Sequence, residues 1–75
     1  MVKIYTTQTC HYCVMAKDYF KSKGVQYEEV DVSASETARE ELIKKSHQMG
    51  VPVIDANGAI IVGFNRTEID KALGL

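Results

Sequence analysis

The sequence predicts an α/β fold, a four-stranded mixed sheet with helices on both faces in the order β-α-β-α-β-β-α. Three observations carry this. Short runs of β-forming residues alternate with stretches of helical period in the first part of the chain, so the first two strands should be parallel with a right-handed crossover between them. Asn57-Gly58 stands between two short apolar runs, and both residues tolerate positive φ, so the last two strands should form an antiparallel hairpin. The 75 residues suit one domain, 1–75, with no internal repeat, low-complexity segment or linker.

Each element has its own signal. Val2 to Thr6 alternates β-type residues and reads as the first strand, followed by the polar turn Thr6-Thr7-Gln8-Thr9. From Cys10 the pattern turns helical: Met15 with Tyr19 and Ala16 with Phe20 are i,i+4 pairs, and Gly24 is a natural stop. Val25 to Val32 reads as the second strand, with Val30 and Val32 on one face. Ser33-Ala34-Ser35-Glu36 fits a capping box with Ser33 as the cap. The helix after it should turn Ala38, Leu42 and Ile43 inward and stop before Gly50. Val51 to Asp55 and Ala59 to Val62 are the hairpin strands, and Asn65-Arg66-Thr67-Glu68 opens a last helix that buries Ile69, Ala72 and Leu73.

Composition removes several classes of function. Nine basic and ten acidic residues leave a net charge of −1, which calls for neither nucleic acid nor an anionic membrane surface. The lysines Lys3, Lys17, Lys21 and Lys23 fall early, and Glu28, Glu29, Asp31, Glu36, Glu40 and Glu41 fall in the middle, a pattern read as solvated faces. The alternative is an electropositive surface near the cysteines. No stretch approaches the ~20 apolar residues needed to cross a bilayer. Met1-Val2-Lys3-Ile4-Tyr5 lacks the pattern of a secretory leader, so a cytoplasmic protein is expected. A bridge between the two cysteines, Cys10 and Cys13, would close a tiny loop and remove little chain entropy, so they are not a structural staple. In the cytosol such a pair is catalytic or metal-binding.

The Cys-x-x-Cys pair sits where the first strand gives way to the first helix. Unpaired amides and the macrodipole favour an anion at a helix start, and the thiolate is the reactive form of cysteine. Cys10 should present an exposed sulfur in the first turn, with Cys13 one turn deeper on the same side. The implied chemistry is attack of Cys10 on a substrate disulfide, followed by displacement of the reduced substrate by Cys13. The only prosthetic group is then the redox-active disulfide Cys10–Cys13, with no bound cofactor. A zinc site would need two more ligands; only His11 and His47 are available, and His11, between the cysteines, is poorly placed to join both on one metal, so no metal is assigned. His11 either stabilises the neighbouring thiolate when charged or is an exposed imidazole of little effect. Tyr12 reads as a contact aromatic. Pro52, the chain's single proline, reads from the residues alone as a trans proline at a strand start.

Ile4-Tyr5-Thr6, Cys10-His11-Tyr12-Cys13, Gly50-Val51-Pro52-Val53 and Gly63-Phe64 together resemble the glutaredoxin branch of the thioredoxin fold, in the expected order over essentially the whole chain. The resemblance implies a thioredoxin-like fold with Cys10 as nucleophile and Cys13 as resolving cysteine. It also implies a cis Pro52 beside the site, in place of the trans reading, and a Val51 backbone that pairs with the substrate backbone. Two departures stand out. Glutathione-dependent members commonly carry a lysine where Thr7 stands, and two acidic residues where this chain has Asn65-Arg66. Gly63-Phe64 is similar to the glutaredoxin-like redoxins that donate electrons to ribonucleotide reductase and are reduced by thioredoxin reductase.

The expected activity is therefore that of a monomeric dithiol–disulfide oxidoreductase acting on disulfide-containing proteins. Thioredoxin reductase is the expected reductant and glutathione the rival. Partners should dock over His11, Tyr12, Val51, Pro52, Gly63 and Phe64 on loops converging around Cys10. The competing reading is a non-catalytic thioredoxin-fold module that carries a metal or cluster.

Overall fold

A computed structural model describes residues 2–48 and 50–75. Its elements are β1 (Val2–Thr6), α1 (His11–Ser22), β2 (Tyr27–Asp31), α2 (Glu36–Ser46), β3 (Val53–Ala56), β4 (Ala59–Val62) and α3 (Arg66–Leu73), in the predicted order. The sheet runs β2-β1-β3-β4. β1 pairs parallel with β2, Val2 opposite Tyr27 and Thr6 opposite Asp31, and antiparallel with β3, Ile4 opposite Ile54. β3 and β4 form the antiparallel hairpin, turned by Asn57 and Gly58 at φ 56° and 102°.

The two-residue period of the strands divides the core into two layers. Val2 and Ile4 of β1 and Ile54 and Ala56 of β3 face α1 and α3, where they meet Ala16, Phe20 and Ile69. The intervening Tyr5 and Val53 face α2 and meet Ala38 and Leu42, with Val32 closing the layer. Helices thus cover both faces. The same parity governs the edge strand β2: Tyr27 packs on the α1 side, and Val30 packs on the α2 side.

Several local expectations are corrected. The cap of α2 is Ser35, not Ser33: Ser35 Oγ accepts from the Ala38 amide at 3.2 Å, while Ser33 is drawn into a turn by Asp31, whose carboxylate accepts from the Ser33 amide at 2.8 Å. An aspartate two residues upstream outcompetes the capping box for this serine. α2 ends at His47, which adopts the left-handed conformation (φ 59°), three positions before Gly50. Ile43 is on the exposed side of α2, not the inner side, because Ala38 and Leu42 already define its buried stripe. Met15 is exposed as well, and β2 and β3 each start two residues later than the apolar runs that mark them, while β1 and β4 keep the predicted bounds. Ile69 is fully buried as expected, with Ala72 and Leu73 half-buried beside it.

The α2 layer carries a polar network. The buried Tyr5 hydroxyl donates to Glu41 at 2.6 Å, and Lys45 Nζ donates to Tyr5 at 3.0 Å and to Asp55 at 2.7 Å. Tyr5 and then Lys45 hold the Glu41 carboxyl below its ordinary range, and Lys45 does the same for Asp55. A carboxyl with a lowered folded pKa contributes stability that is complete above its unfolded pKa and is lost as pH falls through the folded one. Lys45→Met should therefore lower unfolding stability by about 1–2 kcal/mol at neutral pH, discounted for the partial exposure of the pair. The difference from the parent should shrink as pH falls through the lowered folded pKa values of the two carboxyls, below their ordinary range. Denaturant melts of both proteins across that range check this; a gap that persists in acid would assign the loss to packing.

Candidate active site

Cys10 ends the loop after β1 in an extended conformation (φ −95°, ψ 111°) and caps α1. Its sulfur accepts from the Cys13 amide at 3.1 Å, in the position that Ser, Thr, Asp or Asn fills at most helix starts. Cys10 thus stands just before the first turn of α1, where its side chain satisfies one of the helix's orphan amides. It is half-buried and opens onto a groove of about 330 Å³ lined by Gln8, Thr9, Cys10, His11 and Val14.

Cys13 differs in every respect. It is 1% exposed, and both cysteines are free thiols. Burial, followed by the hydrogen bond to Cys10, pushes the Cys13 thiol up to about 12; the Thr7 backbone and the Lys17 charge pull the other way. At neutral pH one thiol of the pair is therefore accessible and the other is buried and protonated. That is the asymmetry two successive thiol exchanges require.

The other candidate residues divide into two groups. The Val51–Pro52 peptide is cis, as the family resemblance implies and the residue-only reading does not. The buried Pro52 carbonyl accepts from the Gly63 amide at 2.8 Å, which joins the loop before β3 to the loop after β4. Val51 is half-buried against the Tyr5 layer. Phe64 turns towards α1, its ring edge-on to Tyr19 at 5.9 Å, and contributes to the other layer. Tyr12 is 62% exposed and His11 is exposed beside the groove. The groove itself is formed by residues that sequence reasoning did not single out, Gln8, Thr9 and Val14. Val14 could have been found, since it lies four positions after Cys10 and so shares its side of the helix.

Arg66 also has an occupation that its position in the sequence does not reveal. Its guanidinium lies 4.8 Å from the Tyr19 ring centroid, and the Tyr19 hydroxyl donates to Asp70, so Arg66 helps clasp α3 to α1. Among the described residues, no three His, Cys, Asp or Glu side chains gather as a metal site, and no helix is long and apolar enough to cross a membrane.

A strand leading into a helix capped by an accessible cysteine, with a buried cysteine one turn on and a cis proline in the loop before β3, defines a dithiol redox protein on the thioredoxin-like fold. Comparison with known proteins narrows this. The glutaredoxin family profile matches residues 2–61. An uncharacterized glutaredoxin-like 8.6 kDa protein in the rubredoxin operon of Clostridium pasteurianum is 49% identical over 73 residues, covering 97% of each chain. Glutaredoxin 3 of Escherichia coli is 45% identical over 53 residues, which are 71% of this chain and 64% of that protein. Among solved structures, the glutaredoxin-like protein NrdH-redoxin from Escherichia coli superposes with a TM-score of 0.84 at 26% identity, over 93% of this chain and 91% of its own. The chain belongs to the glutaredoxin family.

Proposed function

We propose that this protein is a cytoplasmic dithiol–disulfide oxidoreductase that reduces protein disulfides through Cys10 and Cys13 and takes its electrons from a thioredoxin-reductase-type flavoprotein. The observation that carries the reading is the unequal pair: a helix-capping sulfur at the edge of an open groove and a buried, protonated thiol whose amide it accepts from at 3.1 Å. The Cys10 thiolate attacks a substrate sulfur, the substrate's S–S bond breaks, and a mixed disulfide forms. Cys13 then attacks Cys10 Sγ and the second substrate thiol departs. The substrate gains two electrons and the cysteine pair loses them, so the redox group is supplied by the chain itself. Tyr12, Val51, Pro52, Gly63 and Phe64 are proposed to contact the bound polypeptide, with His11 at the rim of the groove.

The choice of donor rests on what would hold glutathione. Thr7 brings no charge to a carboxylate, and Asn65 is committed to capping α3, its Oδ1 accepting from the Glu68 amide at 3.2 Å. Arg66, the cation that could stand in for the missing lysine, is stacked on Tyr19. The similarity to NrdH-redoxin, described as having a thioredoxin-like activity profile, supports the same choice; the 45% identity to glutaredoxin 3 favours glutathione. A charge-assisted hydrogen bond is worth ~1.5–3 kcal/mol, so losing even one should lower glutathione efficiency by about tenfold or more. We expect kcat/KM with the flavoprotein to exceed that with glutathione by at least this factor, measured with one disulfide acceptor. Efficient turnover with glutathione and none with the reductase would place the protein among the glutathione-dependent members.

A further inference from the structure

The mechanism leaves one group without a role. Lys17 follows Cys13 by four positions on α1, so the two side chains are neighbours on one helix face. Helical side chains lean towards the N-terminus, which carries the Lys17 stem back over the turn that holds Cys13. Its ammonium is tethered from the sheet: Nζ donates to Glu29 Oε2 at 2.9 Å, and the same oxygen accepts from the Thr6 hydroxyl at 3.0 Å. Thr6 is 1% exposed and precedes Thr7, whose backbone pulls the Cys13 thiol down. Glu29 stands in register with Ile4, on the α1 side of the edge strand. Two elements therefore converge on one corner and tether a cation one helical turn from a buried thiol.

We propose that Lys17, tethered by Glu29 and Thr6, is a positioning residue for the second thiol exchange, the cation beside which the Cys13 thiolate forms before it attacks Cys10. The inference rests on the dithiol reading above. In this step the S–S bond between Cys10 and the substrate breaks and the Cys10–Cys13 bond forms. Cys13 loses a proton and the departing substrate sulfur gains one, so no outside oxidant is needed. The groups facing the corner are Cys10, which caps α1, and Lys17 within it, Glu29, Tyr27 and Asp31 from β2, and the neutral Thr6 at the end of β1 with Thr7 after it. Lys17 is the cation among them. Glu29 holds it charged, and its own field opposes the burial that keeps the Cys13 thiol protonated.

The test is a single-turnover reaction of the reduced protein with one equivalent of a neutral chromogenic aromatic disulfide, followed across a pH series. The first release reports attack by Cys10 and the second reports displacement by Cys13. Losing the cation raises the Cys13 pKa; each unit lowers the thiolate fraction tenfold, while the more basic sulfur recovers part of the rate, for a net slowing of about threefold per unit. Lys17→Met should therefore slow the second release by about three- to tenfold at neutral pH and move its pH profile to the alkaline side. The first release should be unchanged, and Lys17→Arg should restore most of the second. A Lys17→Met protein with the parent's second-release rate and pH profile would overturn the inference and leave the dithiol reading standing, as would equal slowing of both releases. A parent protein that never gives the second release would overturn both.

Discussion

Cys10→Ser should reduce disulfide turnover to background, while Cys13→Ser should still react once with a protein disulfide and then accumulate as a mixed disulfide. The opposite outcomes follow from the opposite surroundings of the two sulfurs. Cys10 is half-buried at the groove and Cys13 is 1% exposed beneath it. An incoming disulfide can reach the first sulfur, and the second can reach only what is already bound to the first. A serine hydroxyl at position 10 can still cap α1, so the helix should survive while the nucleophile is lost. Intact-mass spectrometry after reaction with a disulfide substrate reads the result directly: no adduct on Cys10→Ser, and one substrate-sized adduct on Cys13→Ser that a reducing agent removes. An adduct on Cys10→Ser and none on Cys13→Ser would exchange the two roles.

The second large effect concerns the support beneath the site. Phe20 is fully buried two turns after Cys13 and packs on the sheet against the Tyr27 ring, whose centroid is 5.4 Å away. It also fixes the end of α1, since its carbonyl accepts from the Val25 amide at 2.9 Å across the turn at Gly24. Phe20→Ala should cost about 3–5 kcal/mol, the usual loss for emptying a packed aromatic position. A chain of this length has a total stability of roughly 4–11 kcal/mol, so the variant should be mostly unfolded at a temperature where the parent is folded. Met15→Ala, on the same helix but at a 49% exposed position, should stay within about 0.5 kcal/mol of the parent. Equilibrium denaturation of the three proteins checks both. Equal, small losses would mean that α1 is not held by its buried face.

The site was legible where chemistry is local. Cys10, Cys13 and the helix start between them can be read from spacing and from the change of period after Thr6, because a helix terminus is an intrinsic property of a short segment. The groove was not, because Gln8, Thr9 and Val14 carry no distinctive chemistry and become a lining only when the loop folds against α1. Arg66 shows the same limit from the other side. In the sequence it stands where the family resemblance implies an acidic residue; in the structure it lies over Tyr19 and binds two helices together.

The sequence by itself determined the order of elements, the hairpin at Asn57-Gly58, the parity that sends Val30 and Val32 to one face of the sheet, and membership of the glutaredoxin family. These follow from backbone propensity, side-chain period and motif order, which act over a few residues. Tertiary structure alone decided which serine caps α2, why Ile43 stays outside and how deeply Cys13 is buried. It also joined Lys17, one helical turn after that cysteine, to Glu29, twelve residues away. Each of these is a competition between groups distant along the chain, settled by which of them the packed sheet and helices bring within hydrogen-bonding reach.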